Sequence, residues 1–287
     1  MKKSTSLLLF LLIYIFSFSI GLIFYFIWVD DLGIILSILI SDIISTVIIW
    51  IIGVFVGSAS IYDPYWSVQT PLYLLFLMIQ LKQFNLGSIL LLSFVLLWAI
   101  RLTINFIIGF NDFSYIDWRY KKIQEKTGKI YQLVNLIGNH LMPTLIVFFA
   151  STPAFMYVIN GYNFNGLNII GLTIMLSATI IEFVADKEMK SFIKIRTSRS
   201  EINRIGIWKN TRHPNYLGEI LFWYGIALVY LLPSFNNWYL IFGAITNNLM
   251  FMFISIPLAD NHLKTYKANY QEYKKETWSL LILPKKR

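Results

Sequence analysis

The chain has no cysteine and only three histidines, His140, His213 and His262, in 287 residues. The first absence excludes disulfides, thiolate nucleophiles and cysteine-ligated metals. Three scattered histidines argue against a His-built zinc site as well. Charge is also scarce: 14% of residues are Asp, Glu, Lys or Arg, where a soluble domain carries about 25%. No Gly-x-Gly-x-x-Gly and no P-loop occurs, so a soluble nucleotide-binding fold is absent. There is no fixed-period repeat and no low-complexity tract. What the chain does have is apolar mass, with 57% hydrophobic residues, 17% aromatic residues and a mean hydropathy of +0.62. Such a composition, in runs of about 20 residues, predicts an all-α polytopic transmembrane bundle.

Those runs predict about eight spans, with seven and nine as the bounds. They cover 6–29, 32–57, 68–81, 87–109, 133–159, 165–185, 215–233 and 238–257. The third is short, and Pro143 and Pro153 break the fifth. The run from Ser6 to Trp28 is too long for a signal peptide and has no small-x-small cleavage site before Asp30 and Asp31, so it reads as a retained span. With the N-terminus in the cytoplasm, 22 of the 24 Lys and Arg fall on cytoplasmic segments, as the positive-inside rule requires. Topology thus accounts for much of the net charge of +9 without a nucleic-acid partner. Residues 1–60 read as an N-terminal helix pair with few polar groups, and 61–287 as a core carrying nearly all the distinctive chemistry.

Polar groups inside spans are costly and usually face a cavity or a partner. Arg101, with Asn105 one turn on, lies within the fourth span. Asp63 follows the second span among Tyr62, Tyr65 and Trp66. An interfacial aromatic belt explains the rings, but not an acid followed by a proline. A carboxyl group among aromatic rings has its pKa raised, which suits a general acid. Asp117 and Arg119 read as a local surface pair, next to Tyr120. Glu182 and Asp186 share a face near the end of the sixth span, with Lys190 continuing it. His262, Tyr266 and Tyr270, at four-residue steps, predict one stripe of a tail helix.

The segment KNTRHPNYLGEILFWYGI, 209–226, joins a basic loop to an apolar run. Pro214 is favoured in a first helical turn, and the helix start offers free amides and a partial positive charge. The surrounding basic residues make it an anion site, most naturally for phosphate. Asn215 and Glu219 share one face, and an amide beside a carboxylate suits a carboxamide or an amino-purine edge. The residues therefore point to a cytoplasm-facing pocket for a phosphate-bearing cofactor.

GIWKNTRHPNYLGEILFWYGI, with DWRY and EFVADKEMKSF upstream and SIPLADNHLKTYKANYQEYKK downstream, resembles the bacterial DUF1295 branch of the steroid 5-alpha-reductase family. The four motifs stand in family order and cover about residues 60–285. The resemblance implies an integral-membrane, NADPH-dependent reductase of a carbon–carbon double bond conjugated to a ketone, multi-pass in the bacterial inner membrane. Its cofactor site would face the cytoplasm, and its lipophilic, steroid- or lipid-like substrate would come from the bilayer lipids. Asn215 and Glu219 map to the nicotinamide-contacting pair, Asp186 to the family Asp, Arg101 to its mid-span Arg, and His262 and Tyr266 to its tail residues. Arg204, Arg212, His213 and Tyr216 belong to the same expected cofactor site. Asp63, with Tyr62 and Tyr65, is the expected donor to the substrate ketone. Two departures bear on the substrate: the animal enzymes have a Glu where Asp63 stands, and a tail arginine of theirs is replaced near Leu258. The alternatives are an S-adenosylmethionine-dependent membrane methyltransferase of the isoprenylcysteine or phospholipid type, which shares RHPxYxG, and a non-catalytic member of the family.

Overall fold

The computed structural model describes residues 2–284; Lys285, Lys286 and Arg287, counted above among the Lys and Arg of cytoplasmic segments, lie outside the described residues, as does Met1. Among the described residues the protein is all-α, with no strand. It divides into two compact units, Met1–Asn163 and Phe164–Arg287.

The first unit runs α1 (Lys3–Leu32), α2 (Ile34–Val56), α3 (Tyr65–Gln80), α4 (Leu86–Gly109), α5 (Trp118–Thr127), α6 (Tyr131–Val134) and α7 (Met142–Ile159). A π-helical stretch, Asn135–Leu141, joins the last two. The second unit runs α8 (Asn168–Ile195), α9 (Pro214–Leu231), α10 (Ile241–Met250), α11 (Ile256–Lys264) and α12 (Tyr270–Glu276). Another π-helical stretch, Phe251–Ser255, lies between α10 and α11.

Among the described residues six helical segments are long and apolar enough to cross a membrane: Lys3–Leu32, Ile34–Val56, Leu86–Gly109, Trp118–Ile159, Asn168–Ile195 and Phe235–Lys264. The two others expected from the sequence fall short for different reasons. With 16 residues, α3 is about 24 Å long, against a hydrocarbon core of about 30 Å. Helix α9 has 18 residues, but Asn215 and Glu219 occupy its first turns.

Gly33, at φ 76°, ends α1 and turns the chain into α2, and Gly57, at φ 75°, closes α2 in the left-handed conformation. The two helices cross closely at Gly21, where a Cβ would lie 2.3 Å from Ser45 Oγ and 2.6 Å from the Ser41 carbonyl oxygen. Ser45 Oγ donates across this crossing to the Ser17 carbonyl at 3.0 Å. Small residues let helices approach where lipid supplies no hydrophobic drive. The expectation of few polar groups here is corrected. Ser17, Ser37, Ser41, Asp42, Ser45 and Thr46 are all buried, because this helix pair packs its polar stripe inward and leaves Leu8, Leu11, Leu12 and Ile15 exposed.

Neither proline of the fifth predicted span breaks it. Pro143 follows directly on the π-helical stretch Asn135–Leu141 within one helical run, and Pro153 lies within a continuous helix. In the second unit, α8 and α9 meet through glycines. A Cβ on Gly171 would lie 2.7 Å from the Gly225 carbonyl oxygen, and one on Gly218 would lie 2.2 Å from Glu182 Cγ. Asn168 Nδ2 ties the start of α8 to the Val229 carbonyl at 2.6 Å.

Candidate functional site

In the second unit the basic segment ahead of α9 is clamped by the tail. Thr211 and Trp278 form a parallel β-bridge. The Arg212 and His213 amides donate to the carbonyls of Trp278 and Ser279 at 3.0 and 3.1 Å, and the Trp278 amide donates to Asn210 at 2.9 Å. The 3₁₀ turn Gly206–Lys209 docks on α8, with Ile207 N donating to Glu188 Oε2 at 2.9 Å and Trp208 Nε1 to the Ala185 carbonyl at 3.0 Å. Gly206 needs its positive φ of 59° and its lack of a side chain, since a Cβ would meet the Glu188 carboxylate.

At the centre of the clamp is Asp260, which did not figure among the sequence candidates. Its Oδ1 accepts from Tyr270 Oη at 2.6 Å and from His213 Nε2 at 2.8 Å, and Lys274 Nζ lies 3.0 Å from Oδ2. Arg212 Nε is 3.6 Å from Oδ1, while Nη1 donates to the Thr277 carbonyl at 2.8 Å and to Lys274 at 3.2 Å. Arg212 and His213 are thus held within the protein itself. Burial pushes the His213 imidazole below its ordinary pKa against the pull of Asp260, so the neutral ring donates from Nε2. Its face stacks on Tyr216 at 5.2 Å, and Tyr216 in turn packs on Phe251 at 4.9 Å.

Behind this start, Asn215 is half-buried and Glu219 buried, on the shared face that their spacing predicts. Glu219 Oε1 accepts from Trp223 Nε1 at 2.8 Å, which fixes the carboxylate orientation. Asp186 is half-buried on α8, one turn after buried Glu182. Arg204 turns to Glu276 at 2.8 Å and lies over the Tyr273 ring at 5.5 Å.

The expected stripe of His262, Tyr266 and Tyr270 is not one helix. Helix α11 ends at Lys264, Asn269 takes φ 54°, and α12 starts afresh at Tyr270. The Ala268 amide donates to Ser200 at 2.9 Å, drawing the chain off the helix axis. Tyr270 is consequently buried on Asp260, while Tyr266 is exposed, with the His262 ring edge-on at 5.2 Å. Lys267 Nζ lies 5.5 Å from the Tyr266 ring centroid. Burial raises the Tyr266 hydroxyl pKa, and the charges of Arg196 and Arg199 oppose that rise. The exposed ring is therefore set among cations.

In the first unit, Asp63 accepts from Tyr120 Oη at 2.5 Å. Desolvation lifts its carboxyl to about 6, opposed by the Arg119 charge and the Tyr120 hydrogen bond. Arg119 and Asp117 form the local pair expected from the sequence, at 2.8 Å. Tyr62 Oη shares a hydrogen bond with Thr144 Oγ1 at 2.8 Å, and its ring lies 4.7 Å from that of His140. Tyr65 points elsewhere and donates to buried Asp42 at 2.8 Å. In the amide orientation that satisfies its neighbours, Gln69 also donates to both Asp42 oxygens, at 3.1 and 3.2 Å. Asp42, a lone acid in the apolar run ILISDIISTV, is the polar partner that sequence reasoning passed by, whereas Tyr120, noted there only beside the Asp117–Arg119 pair, serves Asp63. Arg101 and Asn105 are half-buried on α4.

Six helical segments among the described residues that are long and apolar enough to cross a membrane, with buried polar clusters, define an all-α polytopic membrane protein. The chain belongs to the family described as "Protein of unknown function (DUF1295)", which it matches over residues 49–277. It is also similar to the Schizosaccharomyces pombe protein called "Uncharacterized protein C594.04c", with 22% identity over 234 residues. That match covers 72% of this chain and 66% of the relative, just under two thirds of the relative's length. No solved structure matches. Helix α1 and Asp42 precede the family match.

Proposed function

We propose that the protein is a membrane-embedded, NADPH-dependent reductase of a carbon–carbon double bond conjugated to a ketone in a lipophilic substrate. The observation that carries this reading is the face of α9, where half-buried Asn215 and buried Glu219 stand one turn apart behind a proline-started helix N-terminus. An amide and an oriented carboxylate together match the donors and acceptors of a nicotinamide carboxamide. The residue chemistry fits the rest of the cofactor too. With Arg212 and His213 engaged by Asp260 and the tail, the phosphates fall to Arg196, Arg199 and Lys267 around the exposed Tyr266 and His262 rings. Asp186, Arg101, Arg204 and Tyr216 keep supporting places in the proposal.

When bound, the nicotinamide nucleotide would supply a hydride to the β carbon of the enone and be left oxidised, with a solvent-derived proton completing the reduction at the α carbon. Charge then builds on the carbonyl oxygen, and a preorganised donor there lowers the barrier. Asp63, lifted to about 6, keeps a share of its protons near neutral pH and is the proposed donor. Tyr62 is the second choice; Tyr65 gives its only proton to Asp42. The cationic loops are proposed to face the cytoplasm, following the positive-inside rule.

Thermal unfolding of the detergent-purified full chain tests the proposal. NADPH at about 100 times its Kd stabilises a folded protein by about 2.7 kcal/mol. Asn215→Ala and Glu219→Gln are each expected to weaken that protection about tenfold in apparent Kd, the loss of one buried polar contact. Protection by S-adenosylmethionine and none by NADPH would make the protein a methyltransferase instead; protection by neither would remove the cofactor site.

A further inference from the structure

Two of the groups gathered on Asp260, Tyr270 and Lys274, belong to α12 and so tie α11 to the tail. The His213 contact, 2.8 Å from Nε2 to Oδ1, instead reaches the residue at which the basic segment becomes helix. His213 is the N-cap of α9, at φ −135° and ψ 59°. Its carbonyl accepts the first helical bond, from the Leu217 amide at 3.1 Å. The side chain makes no capping bond. It turns to Asp260, and both residues are buried.

A carboxylate bonded to one ring nitrogen fixes the tautomer and orientation of an imidazole. The ring held in this way lies within 6° of parallel to that of Tyr216, with 5.2 Å between centroids. Tyr216 packs in turn on Phe251 at 4.9 Å. Phe251 opens the π-helical stretch Phe251–Ser255, which leads directly into α11 and Asp260. The contacts thus close a circuit from Asp260 through His213, Tyr216 and Phe251 back along the chain to Asp260. One residue beyond the α-helical repeat turns everything after it by about 100°, at 3.6 residues per turn. The π-helical stretch therefore sets which face of α11 carries Asp260 towards His213. Asn215 stands between the two stacked residues in the sequence, on the turn that the circuit holds.

We infer that Asp260 is a positioning residue for the cofactor site, a role that rests on the nicotinamide reading of Asn215 and Glu219. It acts through His213, whose fixed ring sets the orientation of the first turn of α9, from which Asn215 and Tyr216 project. A first turn free to rock must be ordered at each binding event, and that cost is taken from affinity. What His213 needs at position 260 is an acceptor, not a charge. An amide oxygen still accepts from Nε2–H, so Asp260→Asn separates this role from the charge-dependent part of the clamp.

The test is NADPH binding to the detergent-purified full chain, read by reduced-nicotinamide fluorescence below the unfolding temperature of every variant. Asp260→Ala is expected to raise the Kd about tenfold, as loss of one hydrogen bond does, and Asp260→Asn to stay within about twofold of wild type. His213→Phe keeps a ring beside Tyr216 and removes the donor. It should match Asp260→Ala, and the double variant should be no worse than either, because all break one link. His213→Phe leaves Asp260 its bonds to Tyr270 and Lys274, so the test stands even if Asp260→Ala does not fold. Without cofactor, amide exchange at Leu217 should quicken in Asp260→Ala and His213→Phe more than in Asp260→Asn. An unchanged Kd in Asp260→Ala and His213→Phe overturns the positioning role and leaves the cofactor reading standing. Additive losses in the double variant overturn the route through His213, and an Asp260→Asn as weak as Asp260→Ala overturns the need for an acceptor alone. A wild-type protein that binds no NADPH loses the cofactor reading, and this role with it.

Discussion

Removing the Asp260 carboxylate should release the tail from the start of α9, and two substitutions separate charge from shape. Asp260→Asn keeps an acceptor for His213 and Tyr270 but loses the negative charge facing Arg212. Charged hydrogen bonds contribute about 1.5–3 kcal/mol and neutral ones about 0.5–1.5, so this variant should lose about 2 kcal/mol. Asp260→Ala leaves His213 Nε2 and the Tyr270 hydroxyl buried without their acceptor and the buried Arg212 guanidinium without its countercharge. Breaking a buried pair from one side costs about 3–5 kcal/mol. Lys274 adds little to either figure because its side chain is 47% exposed. The assay is amide exchange at Arg212, His213 and Trp278, whose N–H groups hold the two segments together. At about 1.4 kcal/mol per tenfold, Asp260→Ala should speed their exchange by about two to three decades, and Asp260→Asn by about one. Equal protection in wild type and Asp260→Ala would refute the clamp, since those amides would then be held by something other than the Asp260 cluster.

Asp63 should make stability depend on pH. Its carboxyl is lifted from 3.8 to about 6, so the folded state holds the proton more tightly than the unfolded one. The contribution is then complete below about pH 4 and lost as pH rises through about 6, by about 1–3 kcal/mol after allowance for partial exposure. Unfolding midpoints taken from pH 4 to 7 should fall for wild type and stay flatter for Asp63→Asn. Gly218→Ala should cost about 1–3 kcal/mol through overpacking on Glu182, and a double-mutant cycle with Glu182→Ala should show coupling of about 1 kcal/mol. Independent, additive effects would mean that α8 and α9 yield at that contact. Asp42→Leu should cost about 2–4 kcal/mol by orphaning Tyr65 and Gln69. Adding Tyr65→Phe and Gln69→Leu should recover most of it in chemical denaturation, and no recovery would place the cost in packing instead.

Much of this geometry is local and therefore legible in the chain. Pro214 opens α9 as its backbone preference dictates, and Asn215 and Glu219 share a face because a four-residue step does so in any helix. The membrane class and the Asp117–Arg119 pair are local in the same sense. What could not be read is where the long side chains turn. Arg212 and His213 look like ligand-binding groups beside an electropositive helix start, and only the fold brings up Asp260 from 47 residues away to engage them. The tail stripe failed for a related reason. Its periodicity fits a helix, but the Ala268–Ser200 bond and the left-handed Asn269 redirect the backbone. Asp42 did carry a signal, as a lone acid in an apolar run with Ser41 and Ser45 beside it.

The same distinction bears on function in each unit. A polar side chain can serve a ligand only with capacity that the fold has not already used. Tyr65 has one proton and gives it to Asp42; the Arg212 guanidinium serves two tail carbonyls with Asp260 close by. Substituting either should therefore register first as lost stability. Asp63 differs, because Tyr120 donates to its carboxylate and the environment favours adding a proton to it. Once protonated, it gains a donor that it lacks as a carboxylate. The Trp50 indole N–H is also buried and unmatched among the described residues. Chemistry in this chain is thus expected less at its most charged positions, which mostly hold the backbone together, than at these few groups whose bonding is incomplete.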